Sequence, residues 1–171
     1  MKDEGLELLM TRRSIRNYTD GPVTDDEVRQ MLDAAMAAPS AGNQQPWHFV
    51  VIRDRQVMGR IMEAHPYSQM LSGAQVCVAV LAELALERHK GYWVQDCSAA
   101  TQNLLLAAHA LGLGAVWLGV YPTGDRERDI KDILGLPEGV RCLCLVSIGR
   151  PARPSGRADR YDESRVHQEK W

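Results

Sequence analysis

No stretch of this sequence is long and apolar enough to span a membrane. The longest uncharged apolar run is Val76–Ala82, against the roughly 20 residues that a spanning helix needs. Asp3, Glu4 and Glu7 precede any apolar run, which a secretory leader does not allow. Cysteine is scarce, with Cys77, Cys97, Cys142 and Cys144 and no C-x-x-C pair. Four scattered thiols exclude a disulfide scaffold and read as reduced, mostly buried residues of a cytoplasmic protein. There is no basic excess either. Lys plus Arg total 20 and Asp plus Glu total 22, for a net charge of −2, which argues against a dedicated nucleic-acid binder. The histidines His48, His65, His89, His109 and His167 show neither H-x-x-x-H nor H-E-x-x-H spacing, so no metal site is expected. His109 reads as a satisfied core histidine, and lone acids such as Asp96 as capping or pairing groups. G-x-S-x-G and P-loop patterns are missing. Without a nucleophile or a metal, redox chemistry would have to come from a bound cofactor.

What is there is an ordinary globular composition. The chain has 171 residues, 45% apolar and 25% charged, enough for one self-sufficient core. Residues 3–11 read as a short helix with Leu6, Leu9 and Met10 on one side. Arg12–Tyr18 reads as extended chain. Thr24-Asp25-Asp26-Glu27 is a capping box, and Val28, Met31, Leu32, Ala35 and Met36 follow at helical spacing until Pro39. Strands are expected over Trp47–Ile52, Ala74–Ala82, Ala115–Val120 and Val140–Ile148. Helices are expected over Arg53–Ala64, Tyr92–Leu111 and Asp125–Leu134. The third of these segments in chain order, Ala74–Ala82, is apolar on both faces, as in a sheet covered on both sides. The expected architecture is α+β, with a small, mixed but mostly antiparallel sheet around a central helix at Tyr92–Leu111, flanked by further helices. It occupies residues 1–149, and residues 150–171 form a C-terminal arm without a sustained apolar period.

Four segments could carry chemistry. In Arg12-Arg13-Ser14-Ile15-Arg16, alternation in an extended chain puts Arg12, Ser14 and Arg16 on one side. Two guanidiniums and a hydroxyl suit a phosphate, although a solvated basic patch has the same spacing. The loop Pro39-Ser40-Ala41-Gly42-Asn43-Gln44-Gln45-Pro46-Trp47 offers amides and backbone groups that could read a polar heterocycle edge, with Trp47 over an apolar face. As a plain connection it would look the same. Gly112-Leu113-Gly114 follows a helix and precedes a strand, the reverse of a dinucleotide fingerprint. Gly112 therefore reads as a helix terminator, while Gly119 could let a cofactor approach the backbone. The arm carries Arg150, Arg153, Arg157, Arg160 and Arg165 and ends at Trp171, a composition suited to a partner subunit.

Taken together, RRSIRNYTDGPVTDDEVRQMLDAAMAAPSAGNQQPWHFVVI, DCSAATQNLLLAAHALGLGAVWLGVYP and SIGRPA with RYDESRVHQEKW resemble the FMN-dependent nitroreductase family over nearly the whole chain. The resemblance implies an α+β homodimer whose subunits exchange terminal arms around two FMN molecules. Within the Arg12–Arg16 segment, which includes Arg13, it implies that Arg12, Ser14 and Arg16 hold the FMN phosphate and ribityl groups. Arg160, or Arg157, completes the phosphate site. Pro39, Ser40, Ala41 and Asn43 reach the flavin of the other subunit. Leu118 and Gly119 lie beside the ring. It further implies ping-pong transfer from NADH or NADPH to a small-molecule acceptor such as a nitroaromatic or quinone. Other flavin chemistry (dehalogenation, dehydrogenation, flavin cleavage) and a non-catalytic flavin-binding dimer remain alternatives. Three departures stand out. The arm reads ARPSGRADR rather than alternating Pro and basic residues. Leu118 is apolar where some relatives carry an acid. The segment between Arg53 and Trp93 is short.

Overall fold

The computed structural model describes residues 4–154 and 156–171. The elements, in order, are α1 (Glu4–Thr11), β1 (Tyr18–Thr19), α2 (Asp25–Met36), β2 (Trp47–Ile52), α3 (Arg55–Ala64), β3 (Val76–Glu83), α4 (Trp93–Ala110), β4 (Gly114–Gly119), α5 (Gly124–Leu134) and β5 (Val140–Pro151). Local chemistry sets their limits. Thr24 Oγ1 accepts from the Glu27 N–H at 3.2 Å, while Glu27 accepts from the Thr24 N–H at 2.8 Å. This reciprocal cap starts α2 and contributes about 1 kcal/mol. Asp54 caps α3 through the Gln56 and Val57 N–H groups. Gly112, at φ +72°, takes the left-handed turn after α4.

The named strands pair antiparallel throughout, β2 with β3, β3 with β5, β4 with β5 and β1 with β5. Among the described residues the one parallel contact is the isolated bridge between Ser14 and Ala115. α4 packs across β2, β3, β4 and β5, with α2 and α1 against it. Val28, Met31, Ala35, Cys97, Ala100 and Leu104 fill that side with Val78, Val80 and Val146. α3 and α5 cover the opposite side, where Met58, Ile61 and Ile130 meet Cys77, Ala79, Val116, Leu118 and Leu145. The sheet is therefore buried on both faces, which is why β3 shows no polar alternation. Among the described residues no helix is long and apolar enough to cross a membrane.

Several expectations need correction. Met36, assigned to the inner face of α2, is 49% exposed, because the helix ends there. Leu6, Leu9 and Met10 are exposed as well, and α1 buries none of its residues within the single chain. Trp47 belongs to the core, not to a binding loop. β5 continues to Pro151, two residues into the expected arm, and pairs there with β1. Asp3, expected to begin the first helix, lies outside the described residues.

The cleft at the end of strand β4

Two glycines bring the Arg12–Tyr18 segment onto the sheet. A Cβ on Gly114 would stand 2.6 Å from the Ile15 side chain, and one on Gly149 would stand 2.8 Å from the Tyr18 ring. Only residues without a side chain allow that approach. The Ile15 N–H donates to Ala115 O at 3.0 Å. The Tyr18 hydroxyl donates to Ile15 O at 2.8 Å and lies 3.0 Å from Ser147 Oγ. Burial pushes that hydroxyl up to about 12. Thus the backbone that carries Arg12, Ser14 and Arg16 is fixed beside β4.

The expected arginines divide into two groups. Arg13 and Arg157 are committed to the fold. Arg13 donates to Gly156 O at 2.9 Å and also to the Arg12 and Met10 carbonyls. Arg157 pairs with Glu7. With the Ala158 N–H donating to Met10 O at 3.0 Å, these bonds tie the start of the arm to α1. Arg12, Arg16 and Arg160 make no ion pair among the described residues. The Arg12 guanidinium is lowered from its ordinary value by partial burial, then by the Arg13 and Arg160 charges. Cations crowded together without a carboxylate are poised for an anion.

Arg16, Leu118 and Gly119 share a cleft of about 500 Å³ with His65, Pro66, Tyr67, Gln69, Met70, Trp117 and Arg126. No acid lines it. A Cβ on Gly119 would meet no atom within 4 Å, so a flat group can approach the backbone there. The Gly119 carbonyl accepts twice, from His65 Nε2 at 3.0 Å and from Arg126 Nη1 at 2.7 Å. His65 Nδ1 accepts from the Tyr67 N–H at 3.2 Å. Both ring nitrogens are thus committed and the imidazole is neutral, with burial, then the Arg126 charge, lowering its value. His65, Tyr67, Met70 and Arg126 were not anticipated. The available signal was Arg126 itself, a cation in the first turn of a helix, where acids are favoured.

Pro39, Ser40, Ala41 and Asn43 do not line this cleft. Their loop is set by internal bonds. The Ala41 N–H donates to Asp96 Oδ1 at 2.9 Å, Gln45 N–H to Ser40 Oγ at 3.0 Å, and Gln45 Nε2 to Asn43 Oδ1 at 3.1 Å. Gln44 is buried and bonded through both ends of its amide, so it is not free to read a ligand. Asp96 accepts from the Ala41 N–H and Gln44 Nε2, the pairing expected of it. His109 bonds Thr11 Oγ1 at 2.8 Å. All four cysteines are free and buried, and no metal-ligating cluster exists among the described residues.

A buried antiparallel sheet between helical layers, with a cleft at a strand end lined among the described residues by cations and no acid, defines an α+β protein. The chain belongs to the nitroreductase family, whose model matches residues 9–88 and 59–150. It is 48% identical over 99% of its length, and 89% of the relative's, to a protein of Methanothermobacter thermautotrophicus provisionally named NADH dehydrogenase/NAD(P)H nitroreductase. A crystal structure from Bacteroides thetaiotaomicron with the same provisional name superposes with a TM-score of 0.95 at 37% identity, over 100% of both chains. A nitroreductase, again provisionally named, from Desulfovibrio desulfuricans was crystallised in complex with FMN. It superposes at 0.87 with 32% identity, covering 100% of this chain and 99% of that one.

Proposed function

We propose that the chain binds FMN as a homodimer and passes electrons from NADH or NADPH to nitroaromatic, quinone or similar acceptors, donor and acceptor using the cleft in turn. The observation that carries this reading is a set of cations without an ion pair among the described residues, Arg12 near Arg160 and Arg16 on the wall of a cleft that includes Leu118 and an open Gly119. FMN supplies, when bound, a ring that accepts a hydride from a nicotinamide and gives electrons to an acceptor. Arg12, Ser14 and Arg160 suit its phosphate through charge-assisted bonds. Arg13 and Arg157 act one step back, by fixing the backbone and arm that carry those groups. Gly119 leaves room for the ring, and its carbonyl is held by His65 and Arg126. Among the described residues no carboxylate lines the cleft, which supports a contribution of positioning and electrostatics from the protein.

The dimer is supported by what the single chain leaves bare. Leu6, Leu9 and Met10 of α1 and Tyr161, Val166 and Trp171 of the arm are exposed. A second copy covering these residues would hide their apolar surface, and would bring its Pro39–Asn43 loop to the flavin. The test is the visible spectrum of the purified protein, followed by anaerobic NADH and then NADPH. A flavin band near one per chain that bleaches is expected. A colourless protein that takes up no added FMN overturns the reading.

A further inference from the structure

We infer that Arg126 anchors an acidic group, a carboxylate carried on a flat ring, in the cleft between α5 and the end of β4. The inference rests on the reading that this cleft receives the electron acceptor. Arg126 is placed against electrostatic preference. It stands in the first turn of α5, at the positive end of the helix, where a cation is unfavourable. The acids on either side give it no relief. Asp125 pairs with Arg128 at 2.9 Å, and Glu127 with Arg141 at 2.5 Å. Arg126 makes no ion pair among the described residues. Only Nη1 is used, on Gly119 O at 2.7 Å.

Arg126 Nε is buried with no hydrogen-bond partner, alone among the buried side-chain nitrogens and oxygens of the described residues. A donor left in that state implies an acceptor supplied from elsewhere. Nε and the unused Nη2 form one edge of the guanidinium, the edge that matches the two oxygens of a carboxylate. The surroundings select what carries that carboxylate. Tyr67, whose ring centroid lies 5.9 Å from the guanidinium carbon, joins Met70 and Trp117 in walls suited to a planar apolar ring. Arg16 is the other cation, and with no acid on the wall nothing repels an anion. His65 does not compete for the anion, since both its nitrogens are committed.

The experiment titrates the FMN-loaded protein with benzoate and with benzamide, which differ in charge and little in shape. Binding is read by perturbation of the flavin absorbance, and by calorimetry with and without added FMN. The wild type is expected to prefer benzoate. Arg126→Gln, which can still donate to Gly119 O, is expected to cut the benzoate-to-benzamide affinity ratio by about 10- to 100-fold. Arg126→Lys is expected to restore part of it. The kcat/KM ratio for 4-nitrobenzoate over 4-nitrobenzamide should fall in parallel. An unchanged ratio overturns the inference. So does a variant that loses FMN, or NADPH relative to NADH, while keeping benzoate, because Arg126 would then serve the cofactor or the donor. A wild type that takes up no FMN sinks the functional reading instead. Calorimetry without flavin then still decides whether Arg126 holds the anion.

Discussion

Gln44 Nε2 donates to Asp96 Oδ2 at 2.6 Å, with both residues buried. Through this pair the Pro39–Asn43 loop is fastened to the first turn of α4. The other Asp96 oxygen accepts from the Ala41 N–H, and Gln44 Oε1 accepts from the Arg88 and His89 N–H groups. Asp96→Ala strips two donors of their acceptor inside the protein. A loss of about 1–3 kcal/mol in stability is expected, read by urea unfolding. FMN affinity should fall with it if the loop reaches the flavin. Full flavin binding in a destabilised variant would leave the loop a purely structural role.

Arg12, Arg16 and Arg160 are assigned to FMN on charge, and FMN differs from riboflavin only by its phosphate. Arg12→Ala and Arg160→Ala should therefore reduce the preference for FMN over riboflavin by roughly 10- to 150-fold, the range of a charge-assisted bond of about 1.5–3 kcal/mol. Arg16→Ala should weaken FMN as well. Since Arg16 lines the cleft, part of its effect should persist with riboflavin. Arg13→Ala gives a different signature. It frees the arm at Gly156 and the end of α1, so stability and flavin binding should drop together. Equal affinity for both flavins in wild type would remove the phosphate from this assignment.

Much of this was legible because the signals were local or periodic. The α2 capping box, the two-sided burial of Val76–Ala82 and the turn at Gly112 each depend on neighbours in sequence, and each stands where the residues place it. The cysteines and Asp96 were also readable, the first from their apolar surroundings and the second from its isolation. What could not be read depends on pairs distant in the chain. Arg13 and Arg12 are adjacent and alike, yet one is consumed by Gly156 across the fold while the other makes no ion pair among the described residues. Gln44 and Gln45 look equivalent, but only the first turns inward to Asp96. His65 fell in a segment without regular pattern, and its partner Gly119 lies 54 residues away.

His65 makes the cleft sensitive to acid. Its folded-state value lies below the ordinary 6.5, and His109 shifts the same way through partial burial, then the Arg12 and Arg13 charges. The unfolded chain therefore binds more protons between each lowered value and 6.5. Stability from these groups is complete above about pH 6.5 and is lost as the pH falls through the folded values. The urea midpoint of wild type should drop with acidification in that window. His65→Gln, whose amide can still donate to Gly119 O, should flatten the slope. An identical slope in wild type and variant would assign the acid sensitivity elsewhere.

The four thiols should be inert in the native protein. Burial pushes Cys77, Cys97 and Cys144 up to about 12 and Cys142 well above its ordinary value. Since the thiolate is the reactive form, iodoacetamide at mildly alkaline pH should label none of them until the chain is unfolded, and then all four. Labelling of one native cysteine would locate a local opening of the sheet.

On the proposed reading the arm joins cofactor binding to assembly. Its start is held by the chain's own α1, through Arg13 to Gly156, Arg157 to Glu7 and Ala158 to Met10. Beyond that anchor, Tyr161, Val166 and Trp171 are exposed, so the arm buries little on its own subunit. On the proposed reading a second copy covers it together with the exposed apolar residues of α1. Deleting residues 158–171 keeps Arg157 and removes Arg160. The truncated protein should dissociate at concentrations where the full chain is a dimer, and its FMN affinity should fall over the same range. Sedimentation velocity with absorbance read at the protein and flavin bands separates the two effects. If the truncated chain stays dimeric and loses only flavin, the arm serves the phosphate through Arg160 and the dimer is held by α1. If it becomes monomeric and keeps full flavin, the cofactor site is complete within one subunit and the exchanged-arm arrangement is wrong.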